Sequence, residues 1–411
     1  MSTPRSAIEA VFPRPAGTPR FGVNYVPSRG WWYSWLDWEP SAMAADLRAV
    51  ADLGMDHIRI HCLWPVFQAN PGHISGTALA RLHSLLDLAD ECGLDVSVTV
   101  LNGWLSGFYF RPAWQHGVNL FTDPVAVAAQ LDLLAAMAER IAAHPRFLGF
   151  DIANEPNVLA HYAGNDITTS EGDAWTRRLL NHCEAIAPGR MHVAGFDHEP
   201  WLTDSAPFSR EILARTGSAT PLHAWIEFTG ALKRYGYPST ATHHLGEYLL
   251  ELAKAFQSDP HRPLWLQEFG AAPQWISEDA VAEFTESFTA AALSCDQLWG
   301  VTWWASHDID RGLAGFADLE YDLGLLTTEN QVKPAGRRLA TLIDRLRQQP
   351  PTPATRTTAL LLDDTRAPDW TFAERFFSLV DEGVRPAIVR ASHQDDAEHI
   401  AERGITKILD L

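Results

Sequence analysis

The sequence predicts an α/β fold: a closed (β/α)8 TIM barrel followed by a small C-terminal α/β unit. From Phe21 onward, short apolar runs alternate with long amphipathic stretches, which is typical of repeated β–α units around a parallel sheet. Eight runs and eight stretches can be counted, the number that closes a barrel. A doubly wound open sheet is the runner-up. Its nucleotide-binding form carries a glycine-rich phosphate loop after the first strand, and residues 21–38 have none.

Each predicted strand is a short, mostly apolar run bounded by turn-forming residues. In chain order the strands begin near Phe21, His57, Asp95, Phe147, Met191, Pro221, Pro263 and Gly300. The helices between them are predicted over residues 41–53, 77–92, 125–143, 171–187, 208–215, 243–256, 278–293 and 334–347. Gly54 and Gly93 follow two of these helices in the position where a C-terminal glycine is favoured. Asp123 and Pro124 supply a cap and a first helical residue for a third.

A proline-rich segment, QQPPTP at residues 348–353, interrupts the alternation and predicts an extended linker. We therefore place the catalytic barrel, with an N-terminal extension, in residues 1–349, and the linker with a β-α-β-α-β unit in residues 350–411. The strands of that unit are expected at 359–362, 387–390 and 405–409, and its helices at 372–381 and 397–403. Residues 356–411 contain no phosphate loop and no nucleophile motif, so we expect them to have a packing or assembly role.

Charge and composition exclude several classes of partner. The chain of 411 residues carries a net charge of −19, which repels nucleic acid and anionic membranes and fits a neutral substrate. No run of eighteen apolar residues predicts a membrane span, and residues 1–20 lack the apolar segment of a signal peptide. The four cysteines are scattered, which predicts reduced thiols and, with the missing signal, a cytoplasmic protein. We expect no cofactor, and the sequence leaves open whether the chain forms a homo-oligomer.

Polar side chains stand at the predicted C-terminal ends of the strands, where a barrel places its active site. The stretch GFDIANEPN at residues 149–157 predicts a buried strand that a proline ends, with Asn154 and Glu155 at its tip. In the same way QEFG puts Glu268 at the tip of strand seven. Strands four and seven lie roughly across the barrel from each other, so the two carboxylates should face one another.

Two facing carboxylates are what cleavage of a glycosidic bond requires. One must be protonated at neutral pH to release the leaving oxygen, and the other must be ionised to attack the sugar, so their surroundings must separate their pKa values. Arg59 at the end of strand two would favour the charged form of a neighbouring carboxylate. The amide of Asn154 could bind a sugar hydroxyl next to the reacting carbon. Further candidates for substrate binding are His61, Asn102, Trp104, His223, Trp225, Trp304, His307 and Asp308.

Aromatic side chains support a sugar substrate, because their flat faces pack against the C–H faces of sugar rings. Several of the 16 tryptophans fall in predicted loops: Trp31, Trp32, Trp35, Trp38, Trp64, Trp104, Trp114 and Trp304. A metal site is not expected. His57 and His61 are separated by an arginine, which disfavours a cation, and His243 and His244 are expected at a helix start.

Several of these motifs together resemble glycoside hydrolase family 5, a family of retaining (β/α)8 glycosidases. They are Asn154-Glu155-Pro156 on strand four, Glu268 in QEFG on strand seven, Trp304 on strand eight and Arg59 on strand two. The resemblance covers about residues 20–348. It implies that Glu155 is the acid/base and Glu268 the nucleophile, and that the family's supporting positions are taken by Arg59, Asn154, His223 and Trp304.

Two positions depart from the family's pattern. Asn102 stands near the end of strand three, where the family usually has a histidine. On strand six the family usually has His-x-Tyr, whose tyrosine touches the nucleophile, and this chain has Trp225 in place of that tyrosine. An indole donates one hydrogen bond but cannot act as a phenol, so the hydrogen bonding around Glu268 is expected to differ.

The first predicted loop, WWYSWLDW at residues 31–38, is expected to wall off one end of a cleft. With it the chain resembles the exo-β-mannosidase branch of the family. The leading hypothesis is therefore a retaining exo-β-mannosidase that releases terminal β-linked mannose from short oligosaccharides. The alternatives are an endo-β-1,4-mannanase or β-glucan hydrolase, and a non-catalytic carbohydrate-binding protein. The presence of both glutamates argues against the last, and no residue decides which sugar is held.

Overall fold

The computed structural model describes residues 18–161 and 164–411, so residues 1–17 of the predicted N-terminal extension lie outside the described residues. Eight parallel strands form the barrel: β1 Arg20–Asn24, β2 His57–His61, β3 Asp95–Leu101, β4 Phe147–Asn154, β5 Val193–Gly195, β6 Thr220–His223, β7 Leu264–Phe269 and β8 Leu298–Trp304. Their order is β6-β7-β8-β1-β2-β3-β4-β5. The predicted barrel is confirmed, because β6 and β5, at the two ends of this order, come together. This excludes the open-sheet alternative.

The barrel is nearly closed where β5 meets β6. The backbone N–H of Ser218, just before β6, donates to the carbonyl of His192, just before β5, at 2.8 Å. β5 has only three residues and β6 only four, which explains why they make no continuous ladder with each other. Every residue of the eight strands is buried, so the interior is a packed core and the chemistry is confined to the strand tips.

Eight helices surround the strands: α1 Pro40–Asp52, α2 Gly76–Glu91, α3 Pro124–Ile141, α4 Thr169–Ile186, α5 Arg210–Arg215, α6 Thr240–Phe256, α7 Glu278–Ala292 and α8 Pro334–Gln348. Asp123 caps α3 as predicted, because its carboxylate accepts from the N–H groups of Val125 and Ala126. Two helices begin two or three residues earlier than the sequence suggested. Capping boxes start α4 at Thr168 and α6 at Ser239, ahead of the apolar residues that set the predicted starts.

None of the described helices has the length and apolar character that a membrane span requires. Shorter elements lie in the loops beyond the strand tips: helical turns Trp31–Trp35, Trp64–Phe67, Ala113–Gln115, Pro156–Ala160, Glu199–Leu202, Ala231–Tyr235 and Asp318–Asp322, and two hairpins, Gln68–Asn70 with His73–Ile74 and Trp104–Leu105 with Phe108–Tyr109. The sequence did not predict these pieces, since each is too short to show a period.

The C-terminal unit is a separate three-stranded parallel sheet with β9 Thr358–Leu362, β10 Ala387–Arg390 and β11 Lys407–Leu409, joined by α9 Trp370–Asp381 and α10 Ala397–Glu402. It packs against α6. Tyr248 of α6 lies in a ring cluster with Phe376 and Phe377 of α9, at centroid distances of 5.3 and 5.6 Å. Arg356 crosses from the unit to pair with Glu247 and Glu251 at 2.7 and 3.1 Å. The unit is thus bound to the barrel by both apolar and ionic contacts.

Most of the loop tryptophans are buried within the protein. Trp31, Trp32 and Trp35 are at most 1% exposed and pack against one another and their neighbours, as Trp32 and Trp35 do with stacked rings 5.9 Å apart. Burying side chains of this size stabilises the fold by about 2–3 kcal/mol each. The expectation that these tryptophans face a sugar is therefore corrected: they form the support of the first loop, and Trp64 belongs to the same core.

Candidate active site

The strand register brings the predicted polar tips to one level. Asn24 at the end of β1 is the Cα partner of Trp304 on one side and of Arg59 on the other. In the second half of the barrel, His223 of β6 pairs with Glu268 of β7. A side chain at the tip of one strand therefore faces those at the tips of its neighbours, as the active-site end of a barrel requires.

Arg59 is the centre of a buried ionic network. Its Nη1 donates to Oε2 of Glu268 at 2.9 Å and to Oδ1 of Asn24 at 3.0 Å. Its Nη2 donates to Asp151 at 2.7 Å and to the amide oxygen of Asn154 at 2.8 Å, and its Nε donates to Asp151 at 2.9 Å. The guanidinium is completely buried, so its charge acts in a medium of low polarity. One cation therefore fixes both the reactive carboxylate and the amide beside it.

Asp151 holds that cation in place. Its carboxylate also accepts from the Thr99 hydroxyl at 3.0 Å and from the backbone N–H of Gly195 at 2.8 Å. Gly195 is required here for space. A Cβ at this position would lie 2.6 Å from Oε1 of Gln267 and 3.1 Å from Nη2 of Arg59. A larger residue would displace the Gln267 side chain and crowd Arg59 and Asp151.

Glu155 is presented by a strained turn at the end of β4. Its φ of 47° lies in the left-handed region, which costs a non-glycine residue on the order of 1 kcal/mol. The backbone is held there because the Glu155 N–H donates to the Gly195 carbonyl at 2.8 Å and the helical turn Pro156–Ala160 begins at the next residue. This conformation turns the carboxylate toward the barrel axis, where Oε1 lies 2.8 Å from Nδ1 of His223.

Glu268 faces Glu155 across the tip of the barrel. Its Oε2 is held by Arg59, and its Oε1 accepts from the indole N–H of Trp225 at 3.0 Å. The residue that departs from the family's His-x-Tyr pattern thus still donates to this carboxylate. An oxygen of each glutamate and a nitrogen of His223 all lie within 4.8 Å of one another. The two carboxyl groups are close enough for one to attack a sugar carbon while the other protonates the oxygen attached to it.

The proton on His223 can be assigned from its partners. Gln267 places its amide nitrogen 3.4 Å from Asp151, which can only accept, so the amide oxygen faces Nε2 of His223 at 3.1 Å. Nε2 therefore carries the proton, and Nδ1 is left to accept. Burial lowers the pKa of His223, which keeps the ring neutral. The group that donates to Nδ1 is then the protonated carboxyl of Glu155.

Electrostatics separate the two glutamates. Burial and the charge of Asp197 raise the pKa of Glu155 to about 8, against a smaller opposing effect of Arg59. Burial also raises the pKa of Glu268, but the charge of Arg59 and the Trp225 hydrogen bond act to lower it. Two hydrogen bonds to Glu268, one of them from a cation, stabilise its ionised form, whereas Glu155 has no cation at hydrogen-bond distance among the described residues. At neutral pH the pair therefore holds one proton, on Glu155.

A cavity of about 640 Å³ opens above the two glutamates. It is lined by Trp104, Ser106, Gly107, Asn154, Glu155, Val158, Asp197, His198, Trp225, Phe228, Glu268, Trp304, Gly315, Phe316, Ala317, Leu319 and Glu320. The lining combines aromatic faces with carboxylates and an amide. This is the composition of a site for a small polar molecule with apolar faces.

One side of the cavity is closed by two loops. Phe108 in the loop after β3 meets Phe316 in the loop after β8, edge to face, with ring centroids 4.8 Å apart. β1 and β2 lie between β8 and β3 in the barrel, so this contact bridges the tips of both strands. Trp31 supports the bridge from behind, 5.1 Å from Phe316. Residues 31–38 do not themselves line the cavity, so the first loop only supports the wall, through the contact of Trp31 with Phe316.

The predicted site residues divide into three groups. Six line the cavity: Glu155, Glu268, Asn154, Trp104, Trp225 and Trp304. Arg59 and His223 lie beneath the cavity and contact the glutamates. The remaining four, His61, Asn102, His307 and Asp308, do not line it.

The expectation that these four bind substrate is corrected by their contacts. His61 is buried behind Trp304, with ring centroids 5.3 Å apart, and its Nδ1 bonds the Asn102 side chain at 2.8 Å. The other atoms of the Asn102 amide are occupied too, since it donates to two backbone carbonyls. His307 is held by Asn330 at 2.8 Å, and Asp308 pairs with Lys333 at 2.7 Å. All four keep strand ends and loops in position.

Sequence reasoning missed several groups of the site. Asp151 and Gln267 sit on strands already identified, and a carboxylate inside the apolar run FLGFDIAN was the signal that could have found the first. Asn24 gave no such signal. Asp197 and Phe228 follow short strands in irregular segments, and Glu320 lies in the long segment after β8, whose length alone marked it as functional.

In the described residues, Glu155, His223 and Glu268 are the set that could hold a metal ion. Arg59 already supplies a positive charge to Glu268 at hydrogen-bond distance, so a cation there would meet repulsion. The sequence predicted no metal and no cofactor, and both stay predictions.

A (β/α)8 barrel with two differently protonated glutamates at the tips of β4 and β7, below an aromatic cavity, defines a glycoside hydrolase. Comparison with known proteins agrees. Residues 17–187 match the family model for cellulase (glycosyl hydrolase family 5). No curated protein matched the chain.

Solved structures extend the match to nearly the whole chain. A GH5_18 variant from Streptomyces cattleya, in complex with Manβ1-4GlcNAc, is 44% identical with a TM-score of 0.92, over 96% of this chain and 99% of that one. A GH5_18 from Bifidobacterium longum subsp. infantis is 33% identical with a TM-score of 0.91, over 96% of each chain. The exo-β-1,4-mannosidase Op5Man5 from Opitutaceae bacterium strain TAV5 shares the fold, at 23% identity and a TM-score of 0.80, over 96% of this chain and 73% of that one. The chain belongs to glycoside hydrolase family 5.

Proposed function

We propose that this glycoside hydrolase is a retaining exo-β-mannosidase that removes terminal β-linked mannose from short oligosaccharides. The observation that carries the proposal is the pair of close glutamates with one proton between them, at the bottom of a cavity closed on one side. The close spacing favours direct attack by one carboxylate. An inverting mechanism needs room for a water molecule between the two groups, at about 6.5–9.5 Å.

In the first step Glu268 attacks the anomeric carbon, while Glu155 gives its proton to the leaving oxygen. The bond to the leaving sugar breaks and a glycosyl ester of Glu268 forms. Arg59 and the Trp225 indole hold the attacking carboxylate in its ionised form and fix its orientation. Glu155, now ionised, then takes a proton from water, which attacks the same carbon and releases the sugar and Glu268. The neutral His223 accepts a hydrogen bond from the protonated form of Glu155 through Nδ1.

The closed side favours action on chain ends. The Phe108–Phe316 bridge lies on the side of β8 and β3, and Glu155, Asp197 and Phe228 line the cavity on the side of β4, β5 and β6, where we place its mouth. Because Glu155 protonates the leaving oxygen, the leaving sugar belongs on this open side, and the sugar that reacts with Glu268 lies against the wall. Phe228 is 52% exposed and packs on Trp275 with centroids 5.3 Å apart, which gives the leaving sugar an aromatic surface.

The choice of mannose rests on the relatives. The GH5_18 variant from Streptomyces cattleya, at 44% identity, was solved with Manβ1-4GlcNAc, and so was one from Bifidobacterium longum subsp. longum at 34% identity. We propose the same disaccharide as a substrate of this chain. A cytoplasmic location is part of the proposal, since short sugars of this kind can be imported whole. Fractionation of the source cells, with this chain detected by antibody, tests the location.

The test is an analysis of products from mannobiose, Manβ1-4GlcNAc, cellobiose and polymeric mannan, each with the wild-type protein and with Glu268→Ala. We expect release of mannose from one or both mannosides, retention of the β configuration in the first product observed by NMR, and little action on polymer. Internal fragments from mannan would establish the endo-mannanase alternative, and glucose from cellobiose the β-glucan alternative. Absence of hydrolysis of every β-glycoside would establish a binding protein.

A further inference from the structure

A third carboxylate lies in the wall of the cavity. Glu320 belongs to the helical turn Asp318–Asp322 in the segment after β8, and it lines the cavity with Trp304 and Ser106. Its Oε2 is buried, and no donor in residues 18–161 and 164–411 completes a hydrogen bond to it. The hydroxyl of Ser106 is buried in the same wall near Glu320 and, in the same part of the chain, completes no hydrogen bond of good geometry.

The turn that carries Glu320 is held firmly. Arg311 donates to Asp318 at 3.1 Å and to Asp322 at 2.5 Å, and Gln274 donates to Asp322 at 2.6 Å. Asp318 and Asp322 therefore form their hydrogen bonds on the outer side of the turn. Glu320 lies on the inner side, so the anchoring of the turn places it in the cavity wall.

A buried carboxylate oxygen without a full hydrogen bond is unfavourable, because it has lost its water and has only the nearby Ser106 and Trp304 in return. Burial and the charge of Glu268 raise the pKa of Glu320 to about 7, and the nearby Ser106 and Trp304 act against this rise. Nothing in the fold requires an acid at this position, since none of the described hydrogen bonds depends on it. A ligand that brings its own O–H groups would satisfy it.

We propose that Glu320 and Ser106 bind hydroxyl groups of the terminal sugar and thereby select it. Glu268 and Glu155 act on the anomeric carbon, and Asn154 lies next to them. The wall carrying Glu320 and Ser106 is left to the hydroxyls farthest from that carbon, at positions 3, 4 and 6. The carboxylate of Glu320 accepts a hydrogen bond from one sugar hydroxyl. The hydroxyl of Ser106 donates a hydrogen bond to the adjacent sugar hydroxyl or accepts one from it. A hydroxyl held in this way cannot carry a further sugar, so the pair also selects chain ends.

The inference rests on the proposed function only in requiring that a sugar occupies the cavity, and the test separates the two. The rates of wild type, Glu320→Gln and Ser106→Ala are measured on 4-nitrophenyl β-mannoside and on its 3-, 4- and 6-deoxy analogues. Glu329→Gln, an exposed acid in the same segment, is the matched control. If the wild type prefers another aryl β-glycoside, the proposed sugar is wrong, and the same series is run on the preferred one.

We expect Glu320→Gln to lower kcat/KM for the parent glycoside on the order of 10²-fold, because a hydrogen bond to a charged carboxylate is replaced by a weaker one to a neutral amide. On one of the deoxy analogues, Glu320→Gln should lower kcat/KM only slightly, because the hydroxyl that binds Glu320 is already missing from that substrate. Equal losses on the parent and on all three analogues would overturn the proposal. Binding of free mannose and glucose, measured by calorimetry, gives a readout that does not depend on turnover: Glu320→Gln should weaken one of them about tenfold, and unchanged affinities for both would also overturn it.

Discussion

Nη1 of Arg59 lies 2.9 Å from Oε2 of Glu268, while the rest of the same guanidinium is held by Asp151. One positive charge thus serves an acid that reacts and an acid that does not. The second acid keeps the cation in place when the first is consumed in the covalent intermediate.

Arg59→Lys is expected to lower kcat/KM on the order of 10²- to 10³-fold. Lysine keeps the charge but lacks the planar set of donors that reaches Glu268 and Asp151 together. Because Arg59 lowers the pKa of Glu268, a weaker contact should let that pKa rise, and activity should be lost at a higher pH on the acidic side. The pH dependence of kcat/KM checks this. Arg29→Lys, whose pair with Glu39 is exposed, is the control and should match the wild type.

Glu268→Ala should reduce turnover by at least about 10⁴-fold, with the circular dichroism spectrum unchanged. Added azide distinguishes the two roles. In Glu268→Ala the small anion fills the space of the missing carboxylate, so the product should be the α-glycosyl azide. In Glu155→Ala the intermediate forms from an activated aryl glycoside and azide attacks the opposite face, which should give the β-glycosyl azide. An exchange of these two products would reverse the assignment of acid and nucleophile.

The activity should fall as the pH rises through about 8, since Glu155 is active as the protonated acid and its pKa is raised to about that value. Asp197→Asn removes a negative charge that contributes to this rise. The substitution is nearly isosteric, and an amide oxygen can still accept from Asn157, which donates to Asp197 at 2.6 Å. We expect the basic limb of the kcat/KM profile to move to lower pH while the rate near pH 6 changes little.

A control for the charge effect is Asp204→Asn, on the same side of the barrel but 67% exposed. Solvent screens that charge, so the profile should not move. A basic limb that stays at the same pH in Asp197→Asn would show that another group limits the reaction at high pH.

The C-terminal unit should contribute to stability through Glu247. Burial would raise the pKa of this carboxyl, but His244, Arg356 and Arg385 outweigh burial and hold it below the usual value. Breaking a buried pair leaves cations without a partner, so Glu247→Gln should lower the free energy of unfolding by about 3–5 kcal/mol at pH 7. Because the pKa of Glu247 is lower in the folded protein than in the unfolded chain, its carboxylate stabilises the fold at pH values above the unfolded pKa. This stabilisation fades as the pH falls, so the difference in unfolding free energy between wild type and Glu247→Gln should shrink below about pH 4.

Chemical denaturation at pH 7 and at about pH 3 measures this effect. Glu374→Gln, at the exposed pair with Arg234, is the matched control and should change stability little. The kcat of properly folded Glu247→Gln should equal that of the wild type, because the ionic cluster is remote from the cavity. A loss of kcat without a loss of stability would assign the unit a role in catalysis.

The sequence predicted the barrel and the two glutamates because both leave local signals. A buried strand shows as an apolar run, and a catalytic acid shows as the polar residue that ends it, as in Asn154-Glu155-Pro156. The sequence could not show which polar residues beyond the strand tips face the cavity and which only hold loops in position. His307 and Glu320 both lie in the segment after β8, and only the folded arrangement turns the first onto Asn330 and the second into the cavity.

The expectation that the loop tryptophans face a sugar was wrong for a related reason. An indole in a loop is equally suited to a sugar ring and to another indole, and the spacing of Trp31, Trp32 and Trp35 gives no means of deciding. The structure shows that the short helical turn Trp31–Trp35 packs them together. Long-range contacts of this kind have no counterpart in a local sequence pattern.

Under the proposed function, the bridge between Phe108 and Phe316 also bears on the order of events in turnover. The mannose that reacts with Glu268 would lie against this closed side, and the leaving sugar would lie between it and the proposed mouth. The reducing-end sugar must therefore depart before water can reach the glycosyl ester, and mannose must leave last. Such an order makes mannose a competitive product inhibitor and the reducing-end sugar an acceptor for the reverse transfer, so the enzyme should also synthesise its own substrate when that sugar is abundant.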